Sequence, residues 1–134
     1  MTTTYCTDAE IDATDTLART ALAAFSQAAV DRGDAAVTDY DALRVEAKRQ
    51  LLIDLGARGI TEGMVSDPAQ LEVPEVCLVL ANLFDAVGQW NGTVPDVYVQ
   101  KGSRYRQRYE ALIARVNPRT DERPVGASFE WGRG

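Results

Sequence analysis

One spacing recurs along this chain and limits what it can fold into. Leu17, Ala21, Ala24, Phe25 and Ala28 stand at offsets 0, 4, 7, 8 and 11. Val76, Leu80, Leu83, Phe84 and Val87 repeat those offsets, and Tyr105, Tyr109, Leu112, Ile113 and Val116 repeat them again. At about 3.6 residues per turn such positions line one face of a helix. A fourth segment carries Leu43, Ala47, Leu51 and Leu55 every four residues, with Leu52 widening the stripe. Amphipathic helices bury their stripes against one another, so the expected fold class is all-α, an antiparallel bundle of about four helices. The likeness among the segments is geometric; there is no residue-level repeat of the solenoid kind.

The punctuation between stripes places the elements. Thr7-Asp8-Ala9-Glu10 has the form of a capping box and starts the first helical stretch, which Gly33 stops. Asp15 and Thr16 leave open whether residues 8–32 form one helix or two. Thr38 with Asp41 predicts the next start, and Gly56 and Gly59 the next end. Asp67-Pro68 and Val73-Pro74 put proline where a first turn tolerates it, so the most apolar helix, with Cys77 beside its face, is expected to begin at Pro74 and to be central. Asn91-Gly92 is a turn signal, and the alternation from Val94 to Val99 predicts a loop or short extended segment reaching Gly102. Ser103 is the expected cap of the last helix, and Asn117-Pro118 its end. The chain therefore divides into a helical bundle domain, 1–117, and an extended C-terminal arm, 118–134.

With 134 residues, 46% of them hydrophobic and 25% charged, the chain is long enough for one domain with its own core. It has no apolar run of membrane-spanning length, and MTTTYCTDAE has neither a basic nor an apolar signal region, which predicts synthesis in the cytoplasm and no membrane association. Cys6 and Cys77 are expected as reduced thiols. The net charge of −6 is unevenly spread: residues 1–100 carry 6 Lys/Arg and 16 Asp/Glu, whereas 101–134 carry 8 and 4. An acidic body repels nucleic acid, so specific DNA binding by the whole domain is not expected.

Catalytic signatures are missing from the residues themselves. Without histidine and with two distant cysteines, a zinc site or a His-activated nucleophile has no ligands or base. Asp8, Glu10, Asp12 and Asp15 resemble an oxygen-ligand loop, but Ala13 stands where an EF-hand loop needs glycine and Arg19 where it needs a bidentate acid. "GARGITEG" matches neither phosphate-binding glycine pattern. Glu72 and Glu75 fall at a helix start, where acids offset the helix dipole. The expectation is a non-enzyme with no cofactor and no metal.

Two segments point to partners. In "KGSRYRQRYE", Tyr105 and Tyr109 share the apolar face while Lys101, Arg104 and Arg108 lie elsewhere, so core tyrosines beneath a basic helix strip are expected, the strip being suited to an acidic partner or a neighbouring copy. The segment from Pro118 onward has two Pro, three Gly and no helical period. In extended form Val125, Ala127, Phe129 and Trp131 fall on one side, as suits a strand added to a partner's sheet or an arm lying in a groove. The alternative is that these aromatics fold back on the chain's own helices. The expected partner-binding residues are Arg119, Arg123, Val125, Phe129 and Trp131.

"YCTDAEI" near the start, the apolar helix "PEVCLVLANLFDAVGQW", "RYRQRYEALIARV" and the polar tail together resemble the small helical head-to-tail connector (adaptor, or head completion) proteins of tailed bacteriophages. The resemblance covers most of residues 5–116 as an ordering of helices. It implies a virion subunit at the head–tail interface, made in the host cytoplasm, that assembles as a homo-oligomeric ring, typically dodecameric. Such a ring docks on the portal protein, extends the DNA channel and offers a surface to the tail or to a stopper or terminator protein. It also implies that the C-terminal arm reaches into the portal. An acidic lumen would let DNA pass without specific binding. The alternative reading is a small cytoplasmic helical regulator or inhibitor that binds another protein through the same tail.

Overall fold

The most apolar segment of the chain becomes its most enclosed one. The structure is a computed structural model that describes residues 4–65 and 67–117. Five α-helices run Asp8–Thr14 (α1), Ala18–Asp31 (α2), Asp41–Ala57 (α3), Glu72–Val87 (α4) and Val97–Ile113 (α5), with 3₁₀ turns at Glu62–Met64 and Pro68–Leu71. A two-residue hairpin, Trp90–Asn91 (β1) against Val94–Pro95 (β2), separates α4 from α5. The described residues are therefore mainly α. Every residue from Pro74 to Ala81 of α4 is buried, and α4 packs against each of the other four helices. A helix apolar all round is stable in water only when surrounded in this way.

The stripes of α3 and α5 read from the sequence face this axis, whereas that of α2 is rotated: Ala18, Ala21, Leu22 and Ala29 are buried, and Ala24 and Ala28 of the expected face are exposed. Ala21 of α2, Ala47, Leu51 and Leu55 of α3, and Tyr109 and Ile113 of α5 are all buried. Phe84 lies between two tyrosines of α5, its ring centroid 5.6 Å from Tyr98 and 6.0 Å from Tyr105. Cys6 and Cys77 are free, buried thiols.

Local chemistry decides the boundaries. The capping box forms: Glu10 N donates to Thr7 Oγ1 at 3.2 Å and Thr7 N donates to Glu10 Oε1 at 2.8 Å. Residues 8–32 are two helices, because Asp15 takes an extended backbone and its carboxylate accepts from Leu17 N at 2.9 Å, an alternative to continuing the helical ladder. The second start lies at Asp41 rather than at a Thr38 cap; Asp39 Oδ1 accepts from Asp41 N instead. Helix α4 begins at Glu72, two residues ahead of Pro74. Its first four N–H groups need no helical partner, so the proline fits within the opening turn.

The largest correction concerns 97–103. The alternation of Val97, Tyr98 and Val99 suggested extended chain with Ser103 as the cap, yet these residues are the first turn of α5. The cap is Asp96, whose Oδ1 accepts from Val99 N at 2.9 Å while Oδ2 accepts from Gln89 N at 3.1 Å. Gly102 is not a stop but a point of close approach: a Cβ there would stand 2.1 Å from Asp85 Oδ1 on α4. The hairpin turn does need its glycine, because Gly92 has φ +67°.

Glu75 is the one fully buried acid of α4, and it ties down the N-terminal segment. Its Oε1 accepts from Tyr5 N and Cys6 N, each at 2.9 Å, while Oε2 has no hydrogen-bond partner. Burial raises its pKa, against the opposing hydrogen bonds from Cys6 and Tyr5 and the charge of Arg44. A carboxyl raised in the folded state favours folding most below its unfolded pKa of about 4.3, and that contribution is lost as pH rises through the folded value.

Two outcomes follow for stability. Leu80 is 0% exposed at the centre of α4, and Leu80→Ala should cost roughly 2–5 kcal/mol in chemical denaturation. Glu75→Gln keeps an oxygen for Tyr5 N and Cys6 N but cannot ionise. The melting temperature of the variant relative to the native chain should therefore rise as pH goes from about 4 to 7; a constant difference would mean that Glu75 does not titrate as described.

Candidate functional site

Tyrosine hydroxyls and carboxylates close the edges of the core before any outward-facing site is left. Tyr40 donates to Asp12 at 2.7 Å, Tyr105 to Asp15 at 2.7 Å and Tyr109 to Asp54 at 2.5 Å, and Tyr5 donates to Glu62. Each phenol has its pKa pushed up, first by burial and then by the carboxylate it faces. These are structural hydrogen bonds between neutral donors and anionic acceptors. Burial, followed by the Glu75 carboxylate, likewise pushes the Cys6 thiol up, away from the thiolate form a nucleophile requires. No group of three or more metal-ligating side chains converges among the described residues.

The expected basic strip is divided between three environments. Lys101 turns inward: its Nζ lies 2.8 Å from Asp15 Oδ2, a carboxylate only 4% exposed, and 5.8 Å from the Phe84 ring centroid. Burial opposes ionisation of Asp15, but hydrogen bonds from Lys101, Leu17 N and Tyr105 outweigh it and lower the pKa. Lys101 thus pins the α1–α2 junction to α5. Arg104 is exposed and makes no ion pair among the described residues. Arg108 points to another side, lining a cleft with Glu10, Glu72 and Cys77. Arg119, Arg123, Val125, Phe129 and Trp131 lie outside the described residues.

Two surfaces remain open for a partner. The first is a groove of about 660 Å³ between α3, α4 and α5, with apolar lining from Leu43, Leu78 and Ile113 and carboxylates from Glu46, Asp54 and Glu110. Its one lining cation, Arg106, is already engaged, donating to Asn82 at 2.9 Å and to Asp85 at 3.0 Å. Glu110 has no ion-pair partner among the described residues. The groove is acidic with an apolar component.

The second surface is the hairpin. Trp90 and Val94 are each 63% exposed, Val97 is exposed beside them, and a shallow hollow joins Trp90 to Arg104 through Pro95, Val99 and Ser103. An exposed tryptophan sharing a hollow with Val99 and an arginine that makes no ion pair among the described residues has the composition of an interface centre. The sequence reading recognised the Asn91-Gly92 turn but did not single out Trp90. The available signal was a large apolar residue one position before a turn, in a segment too short to bury it.

The end of the described residues is held to the rest of the fold. The Arg58 guanidinium donates to the carbonyls of Ile113 and Val116, satisfying the open end of α5, and Gln70 clamps Asn117, accepting from its N at 3.0 Å and donating to its O at 3.4 Å.

Lys101 and Arg104 should separate in a stability assay. Lys101→Ala leaves buried Asp15 without its cation and should cost roughly 1–3 kcal/mol in urea denaturation, whereas Arg104→Ala should stay within about 0.5 kcal/mol of the native chain. Equal effects would mean that Lys101 does not hold the helix junction. No protein-family model, curated protein or solved structure matches this chain, so its residues and their geometry carry the functional reading.

Proposed function

We propose that this chain is a structural subunit of the head-to-tail connector ring of a tailed bacteriophage: an antiparallel helical bundle, residues 1–117, with a C-terminal arm, 118–134, that anchors it to the portal protein. The reading is supported by the connector-like segments 5–11, 74–90 and 104–116. The observation that carries it is the finished end of the body. Arg58 and Gln70 satisfy the last carbonyls of α5 and hold Asn117. Seventeen residues, with Phe129 and Trp131 among them, follow that fixed exit. Fully extended, they reach roughly 55 Å at about 3.3 Å per residue, more than enough to cross to a neighbouring subunit.

Charge is consistent with the same role. The 16 acids against 6 bases of residues 1–100 suit a wall past which DNA moves without adhering. The tail, or a stopper or terminator protein, would bind on the side away from the portal. As a ring component the chain works by shape and contact, without catalysis or cofactor.

Mass spectrometry of purified particles should find the chain in a fixed ratio to the portal. Deleting 118–134 should abolish co-purification with portal while leaving the thermal melt of the body unchanged. Trp131→Ala should weaken that association by about 2 kcal/mol or more, again without a change in melting. A chain absent from particles and monomeric or dimeric in solution would instead be the small helical regulator.

A further inference from the structure

We propose that the hairpin apex of one copy seats in the α3–α4–α5 groove of the next, so that copies join head to tail. This deepens the ring reading by naming the contact between neighbouring subunits. The two surfaces share no lining residue and differ in character: the hairpin side carries the exposed Trp90 with Arg104, and the groove is acidic with an apolar lining. A contact between unlike patches is heterologous: each copy keeps one free knob and one free groove, and addition continues until the chain of copies closes.

Shape and charge support this pairing. The register Trp90 opposite Pro95 and Asn91 opposite Val94 puts Trp90 on the hairpin face shared with Pro95 and leaves it 63% exposed. The groove, at about 660 Å³, falls in the size range that encloses a side-chain-sized guest, and Leu43, Leu78 and Ile113 offer the indole an apolar bed. The indole N–H needs an acceptor once buried, and the groove supplies the carboxylate of Glu110, whereas Glu46 is paired with Arg49 and Asp54 accepts from Tyr109 and Gln50. Arg104 beside the hairpin and Glu110 in the groove have no ion-pair partner among the described residues. Docking brings opposite charges together. The C-terminal segment fits the groove less well: Arg119, Arg123 and Arg133 are matched by Asp121, Glu122 and Glu130, so it carries no net attraction to an acidic recess.

The test uses full-length chains in sedimentation velocity. Trp90→Asp removes the knob, and the double variant Glu46→Arg/Glu110→Arg reverses the groove; all three side chains are exposed, so both proteins should melt close to the native temperature. The native chain should form species larger than a dimer as concentration rises. Each variant alone should be monomeric, with self-association weakened at least roughly thirtyfold. Mixed one to one, they should form a heterodimer that grows no further, because a single intact knob and a single intact groove remain.

Native-like association of Trp90→Asp, a mixture that stays monomeric, or loss of self-association on Trp131→Ala in place of Trp90→Asp would each overturn the proposal. So would a native chain that remains monomeric at high concentration. The connector reading fails separately: a chain that associates as described but is missing from particles keeps this contact and loses that role.

Discussion

Enclosure of α4 is the constraint from which the other contacts follow. A sixteen-residue helix whose middle, from Pro74 to Ala81, is buried on every side leaves only its ends to water, so four other helices must cover it. Each of those helices then needs an inward stripe and an outward polar face, which is the pattern α2, α3 and α5 carry. The backbone comes close enough for this at Gly102, where the absence of a side chain leaves room for Asp85. Helix α4 supplies the largest share of buried apolar residues of any one helix, with the rest of the core drawn from the elements that cover it.

Polar groups at the edge of that core are handled by one repeated device. Tyr5, Tyr40, Tyr105 and Tyr109 each bury a ring and send the hydroxyl to a carboxylate on another element. The ring supplies apolar area and the hydroxyl keeps the carboxylate from being left unpaired, so the desolvation of an acid at the edge of the core is offset by a hydrogen bond. Asp15 takes this furthest: it receives Lys101, Tyr105 and the Leu17 N–H, and through them joins the break between α1 and α2 to α5. Much of the basic character of α5 is thereby turned to internal use. What remains outside is Arg104 at the hairpin and Arg108 at the cleft beside α1.

The helical segments were legible because each apolar stripe is periodic and each boundary has a local chemical cause, as at Thr7-Glu10 and Asn91-Gly92. The start of α5 was not. Val97-Tyr98-Val99 has strand-like composition, and only the cap from Asp96 together with Phe84 stacking on Tyr98 makes it helical. Propensity yielded to tertiary contact there. The role of Glu75 was equally hidden, since an acid in a first turn has an ordinary explanation in the helix dipole. Its partners, Tyr5 and Cys6, lie some seventy positions away. Trp90 could be seen as a residue next to a turn, but not as an exposed side chain.

The amino-acid sequence by itself determined the predominantly helical character, the identity of the central helix, and the acidic balance of residues 1–100, because periodicity, capping and charge are properties of neighbouring residues. Tertiary structure alone decided which charges are spent and which are free. Lys101 and Arg104 are three apart on one helix, yet the first meets a buried carboxylate from the α1–α2 junction and the second faces water beside Trp90. That difference arises from elements distant in the chain meeting in space, and electrostatic pairing depends on distance through space, not along the sequence.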